Sequence, residues 1–440
     1  MGRPETLSHD ARLTKHGSIP LLAFHPLLCY FMQTTDETTL DTITFMEQAV
    51  TVEESRTTPT TGLIPAAPSS PHQQAAPASD SVKQYARIKL TIHVFTTVLF
   101  FLLTIVLVAT GGTSTVETWM RGVAGNDYAV LLLFITALWL LEGVLTLPLS
   151  YYSGYHLEHR YNLSNQTRGA WVREGLKGGL VGAALMLPLV VVLFFWIRSS
   201  GSLWWLPVGG TLFLFSVVLA RLAPILIFPL FYKFRPLEEG ELKSSLLALC
   251  RKVGMSVEGV FVFDMSKNTK KANAAFTGIG KSKRIILGDT LVANFTDEEI
   301  ETVFAHELGH YKLRHVWVMM AFGTVSSFLG LYVAAQAYDT SLVWFGFSAP
   351  DRIAALPLLA LWLGVYSLVT TPLSNMLSRA HEYDADRFAV QLSGKRQAFQ
   401  HALIKLAKVN LADPSPHPLV EFLFHSHPSI AKRLRAVEGK

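Results

Sequence analysis

The sequence predicts a mainly α, multi-pass membrane protein with a soluble part that carries a few strands. Three observations lead there. The 440 residues are 50% hydrophobic and only 16% charged, and the mean hydropathy is positive, +0.32, too apolar for an ordinary soluble enzyme. Six runs reach the roughly 20 apolar residues that a helix needs to cross a bilayer. The stretches between and after two of those runs return to the composition of a soluble domain.

Residues 1–82 are rich in Thr, Ser, Pro and Ala, as in SRTTPTTGLIPAAPSSPHQQAAPASDS, and read as a disordered, low-complexity extension. The run IPLLAFHPLLCYFM at 19–32 is short and broken by His25 and Pro26. It lacks an A-x-A-type cleavage site, so it reads as neither span nor signal peptide, with Met32 or Met46 as an alternative start.

A membrane region at 83–231 follows, with spans near 88–110, 129–151, 178–198 and 203–231; two more lie near 315–338 and 354–376. Their loops alternate in charge. Lys83, Arg87 and Lys89 precede the first run, and Arg160, Arg168, Arg173 and Lys177 follow the second. Loop 111–128 is nearly neutral, the third loop holds little beyond Arg198, 232–314 and the tail are basic, and 339–353 has two Asp and one Arg. The positive-inside rule then puts both termini, 152–177 and 232–314 in the cytosol. The net charge of +5 is modest, and no nucleic-acid motif accompanies it. Cys29 and Cys250 are too few and too far apart for a disulfide framework or a cysteine metal site.

The soluble machinery is divided between 232–314 and 377–440, on either side of the span pair at 315–376. SLLALCRKVG (245–254) has helical periodicity, while VEGVFVFDM (257–265) and RIILGDTLV (284–292) read as strands. TDEEIETVFAHELGHYK (296–312) is a helix, with Thr296 as N-cap and Glu299 completing a capping box.

That helix carries the chemistry. His306 and His310 are one turn apart on one face and can chelate a zinc ion; Glu307 can take a proton from water beside it. A bare HExxH also arises by chance on surface helices. Catalytic zinc needs a third protein ligand, and the metzincin continuation is absent, since HYKLRHVWVMM follows. His315, at the membrane border, reads as interfacial. SRAHEYDADRFAV (378–390) offers Glu382 and Asp386, again one turn apart. One carboxylate can ligate zinc, and the other can accept the second ring N–H of a ligating histidine. Alone, Glu382, Asp386, Arg379 and Arg387 would be a solvated face with ordinary salt bridges; the HExxH motif reverses that preference.

With these residues the chain resembles the integral-membrane gluzincin proteases, and among them the type I CAAX prenyl endopeptidases. PLSYYSGYHLEHRYNLSNQT (148–167), PLFYKFRPLEEGEL (229–242), KKANAAFTGIGKSKRIILGDTL (270–291) and FLFHSHPSIAKRLRAV (422–437) resemble further family segments. The likeness covers about 145–440. It implies a helical bundle enclosing a chamber, with a cytosolic zincin-like catalytic domain carrying a small β-sheet. It also implies one zinc ion on His306, His310 and Glu382, with Glu307 as general base and Asp386 behind a ligand. Asn273 and Ala274 would lie on the strand edge that pairs with substrate backbone. His427 would hold substrate or stabilise the oxyanion, supported by Arg433. The best-known members have seven spans, and the one missing here is the first. Glu142 and Arg221 fall inside spans, which suits a polar chamber; snorkelling near helix ends is the alternative.

The expected function is hydrolysis of a peptide bond near the membrane surface. The expected partners are the lipid bilayer and a peptide or protein substrate, prenylated at a C-terminal CaaX sequence or itself membrane-embedded. A bacterial chain would sit in the inner membrane and a eukaryotic one in the endoplasmic reticulum. A quality-control zinc protease of the heat-shock type is the runner-up. A site-2-type protease ranks low because HExxH precedes the span. A non-enzymatic scaffold or transporter would leave the HExxH–ExxxD pairing unexplained.

Overall fold

The structure is a computed structural model that describes residues 80–277 and 283–438. Six helices are long and apolar enough to cross a membrane: Asp80–Ala109, Asp127–Arg160, Arg168–Ser199, Gly201–Phe231, His315–Phe345 and Ile353–Ser393. They overlie the six runs and extend several of them. The disordered reading of 1–82 fails at its end, because residues 80–82 form the start of the first helix. The rest of that extension, with the run at 19–32, lies outside the described residues.

Helix α1 (Asp80–Ala109) turns at Gly111 into the short α2 (Gly112–Val123). Helix α3 (Asp127–Tyr151) starts on an Asn126 side-chain cap and continues through a π-turn at Tyr152–His156 to Arg160. Helix α4 (Arg168–Ser199) is capped by Thr167, and α5 (Trp205–Leu222) runs on through a second π-turn to Phe231. The apolar core of the bundle joins Val130, Leu131 and Phe134 of α3 to Val190 and Phe194 of α4. Val144, Leu180 and Val369 stay exposed, as side chains facing lipid do. Glu142 is half-buried in α3, and Arg221 is exposed inside the apolar helix Gly201–Phe231, where its last α-turn meets the second π-turn.

The soluble part begins with β1 (Phe234–Pro236) and α6 (Glu241–Lys252), then β2 (Gly259–Phe263), β3 (Ala274–Thr277) and β4 (Arg284–Gly288). The sheet order is β1-β2-β4-β3. Strand β2 pairs β4 in parallel, and the two outer pairings are antiparallel. The predicted strand at 284–292 is too long. It stops at Gly288, and Asp289–Asn294 is a helix, α7. A Cβ at 288 would press on the Met265 sulfur and stand 3.0 Å from the Asn273 carbonyl oxygen, so a side chain has no room at the junction of β4 and α7.

Helix α8 (Asp297–Lys312) keeps the expected capping box: Glu299 N–H donates to Thr296 Oγ1 at 3.3 Å, and Thr296 N–H to Glu299 Oε2 at 2.9 Å. Helix α9 (His315–Leu342) then enters the membrane and α10 (Leu356–Ser393) returns. At 38 residues, α10 is about 57 Å long at 1.5 Å per residue. That outruns a hydrocarbon core of about 30 Å, so the helix that carries Glu382 is longer than a span needs. The proposed boundary at 376/377 falls inside this helix. Helices α11 (Arg396–Val409), α12 (Pro418–Phe424) and α13 (Ile430–Glu438) close the domain. Its core gathers Leu246 of α6, Val260 and Ile285 of the sheet, Phe304 and Leu308 of α8, Ala389 of α10 and Leu434 of α13.

Candidate metal and peptidase site

Helices α8 and α10 lie against each other at the site. Gly309, between the two histidines of the motif, faces Ala385, so the backbones approach more closely than a side chain would allow. Across that contact His306, His310 and Glu382 converge, with one ligand atom from each lying within 4.8 Å of the others. Among the described residues this is the one such cluster. His310 Nε2 is 3.1 Å from Glu382 Oε1 and 3.1 Å from His306 Nε2, and His306 Nε2 is 3.4 Å from Glu382 Oε2.

The donor set fits a metal ion. Glu382 Oε2 is buried without a hydrogen bond, with Arg433 Nη1 at 3.3 Å and His306 Nε2 at 3.4 Å as its nearest cationic groups. Two imidazole nitrogens and that oxygen point at one small volume. A cation there satisfies all three, and two histidines with one glutamate is a known catalytic zinc set.

His306 is anchored from behind. Asp386 Oδ1 stands 2.9 Å from His306 Nδ1. Arg433 holds Asp386 in a fork, Nη2 to Oδ1 at 2.6 Å and Nε to Oδ2 at 2.9 Å. All three are buried. Burial alone would lower the pKa of His306; the carboxylates of Glu382 and Asp386 outweigh it and push it up to about 10. Burial also raises the Glu307 carboxyl above its ordinary range, against the pull of His306 and His310.

His427 lies on the open side, with Nε2 3.4 Å from Glu382 Oε1 and Nδ1 2.9 Å from Ser426 Oγ. Its loop is held by Arg379, which donates to the carbonyls of Glu421 at 3.0 Å and His425 at 2.5 Å. Arg379 is therefore no part of a plain solvated face, whereas Arg387 pairs with Asp384 on the exposed side.

Strand β3 ends the sheet. Asn273 lies just before it, and its carbonyl accepts from Gly288 N–H at 2.8 Å. With Ala275 opposite Ile286, antiparallel alternation turns the backbone groups of Ala274 and Phe276 outward. Ala274, named from the sequence, thus turns its N–H and C=O toward that edge, whereas the Asn273 carbonyl is used within the sheet. Phe276 was not singled out from the sequence, though two-residue alternation along β3 points to it.

Arg433 is not at an open surface. Its guanidinium is spent on Asp386, with Glu382 beside it. His315 is not interfacial either: it is buried, with Nδ1 3.1 Å from His310 Nδ1. Sequence spacing hides this contact, because Arg314 breaks the helix in a left-handed conformation (φ 61°).

Similar proteins are known for most of the chain. Residues 236–440 match the model of peptidase family M48. Residues 68–233 match that of the CAAX prenyl protease N-terminal region, described as five membrane helices; four of the six apolar helices fall there. The chain is 31% identical over 360 residues to the uncharacterized metalloprotease YhfN of Bacillus subtilis, covering 81% of this chain and 84% of that one. It is 34% identical over 329 residues to CAAX prenyl protease 1 of Saccharomyces cerevisiae, covering 70% and 72%. The crystal structure of S. mikatae Ste24p superposes with a TM-score of 0.74 at 26% identity, over 96% of this chain and 100% of that one.

Proposed function

The chain belongs to peptidase family M48 as a membrane metalloendopeptidase of the type I CAAX prenyl protease kind, and from that premise we propose that it uses zinc to cleave prenylated C-terminal CaaX sequences at the cytosolic membrane surface. The observation that carries the reading is the convergence of His306, His310 and Glu382 at the end of a membrane-crossing rod. A metal there lies just outside the bilayer, where the peptide of a lipid-anchored protein would be.

His306, His310 and Glu382 hold the ion. When bound, zinc supplies a Lewis acid that polarises the scissile carbonyl and makes water acidic. Glu307 removes the proton from the attacking water and returns it to the leaving amine. His427 Nε2 faces the same volume and donates to the developing oxyanion. Asp386 and Arg433 fix His306. The outward backbone groups of Ala274 and Phe276 hold the substrate as an added strand, which needs no particular side-chain sequence.

The test is metal content and peptidase activity of detergent-purified protein, wild type beside Glu307→Gln, on a farnesylated CaaX peptide and its unprenylated counterpart. Expected are about one zinc per chain, cleavage of the prenylated peptide alone, and no cleavage by the variant. Equal cleavage of both peptides would move the assignment to general membrane-protein quality control. Activity surviving in Glu307→Gln would overturn the mechanism.

A further inference from the structure

We propose that His315 is a positioning residue for the ligand His310: its imidazole accepts the Nδ1–H of His310 and so fixes the tautomer and ring angle with which His310 presents Nε2 to the metal. The proposal rests on the metal reading above.

His310 Nε2 points at His306 and Glu382. A ligating nitrogen carries its lone pair, so the ring hydrogen must sit on Nδ1. The group that meets Nδ1 is the Nδ1 of His315, 3.1 Å away and buried. Of two facing ring nitrogens one donates and one accepts, so His315 Nδ1 has the lone pair and its hydrogen is on Nε2. The ring of His315 is itself fixed. It stacks on His381 with centroids 4.1 Å apart and planes 6° apart, so helices α8, α9 and α10 each contribute one imidazole to a single line.

The backbone is arranged for this contact. On an unbroken helix five residues turn about 500°, which would leave His315 about 140° around from His310. The left-handed Arg314, between the end of α8 and the start of α9, brings it back. A non-glycine residue rarely adopts that conformation without a compensating contact. The two histidine ligands therefore have unlike supports, a carboxylate for His306 and a neutral ring for His310.

The experiment compares the full chain in detergent as wild type, His315→Asn, His315→Phe and His315→Leu. Asparagine places Oδ1 near the Nδ1 position and keeps the acceptor. Phenylalanine keeps a ring on His381 without an acceptor; leucine keeps neither. Zinc affinity is read by chelator competition, beside thermal melting of the metal-free proteins. The expected result is a loss of about 10–100-fold in zinc affinity for Phe and Leu, with most of it retained in Asn and similar metal-free melting throughout. Wild-type affinity in the Phe or Leu variant would overturn the proposal, as would an Asn variant as weak as Phe. A wild type that binds no zinc would overturn the metal site itself, a separable result.

Discussion

The Cα of Ala385 lies 3.0 Å from the point where a Cβ on Gly309 would stand, and the Ala385 Cβ lies 3.3 Å from it. The obstacle is backbone on the facing helix, so no side-chain rotation can make room. Gly309→Ala must push α8 and α10 apart, and those helices carry His310 and Glu382. Overpacking of this kind costs about 1–3 kcal/mol, and the ligand set opens with it. Melting curves with and without zinc should show a lower metal-free midpoint and a smaller zinc-induced rise. Ala385→Gly, which empties the contact, should lose about 1 kcal/mol of helix propensity and keep the zinc effect.

Asp386 and Arg433 are both buried and forked together. Removing one leaves the other charge without its main partner, at a cost of about 3–5 kcal/mol. Asp386→Ala should therefore destabilise the metal-free protein by that order and weaken zinc binding about 10–100-fold through His306. Replacing the pair by Leu and Met together should recover much of the stability, because neither charge is stranded. It should not recover zinc affinity. Recovery of both would mean that Asp386 acts only as a counter-ion.

Hydrophobic run length, HExxH spacing and the Thr296–Glu299 box depend on neighbours in sequence, and the structure has each of them. What escaped a linear reading depends on single backbone events. Position 288, where β4 gives way to α7, has no room for a side chain because of Met265 and Asn273, which are close only in space. Arg314 bends the chain so that His315 meets His310 rather than lipid. Arg379 has acceptors that no local spacing shows, the Glu421 and His425 carbonyls, from a segment more than 40 residues away. The clustered residues and Asp386 behind His306 are thus readable from local spacing, whereas His315 and Arg379, placed by the turn of the chain, are not.

Zinc binding should weaken as pH falls. In the metal-free site Glu382 and Asp386 hold the pKa of His306 up to about 10 despite burial. Below that pH the ring is protonated, and a metal must displace the proton. Affinity then rises about tenfold per pH unit through neutrality and falls by the same factor on acidification. Chelator competition from pH 6 to 8 should give that slope. With zinc saturating, the acid limb of kcat/KM reports Glu307 instead. Activity is lost as pH falls and that carboxylate takes up a proton.

The edge strand makes a prediction that separates substrate binding from metal binding. Ala275 pairs inward with Ile286, whereas Ala274 is the residue whose N–H points away from β4. The segment before them is pinned by Asn410, whose Oδ1 accepts from Ala272 N–H at 3.2 Å, and by Thr290 Oγ1, which donates to the Lys271 carbonyl at 2.6 Å. Those anchors hold the edge in place whether or not substrate is present. Proline is tolerated on an edge strand where its missing N–H faces outward, and breaks a ladder where it faces in. Ala274→Pro should therefore fold, bind zinc as wild type does and raise KM, by an amount set by one lost main-chain hydrogen bond, about 0.5–1.5 kcal/mol. Ala275→Pro should lower the melting temperature instead. If Ala274→Pro leaves KM unchanged while Ala275→Pro unfolds the sheet, the outer edge of β3 is not where substrate lies.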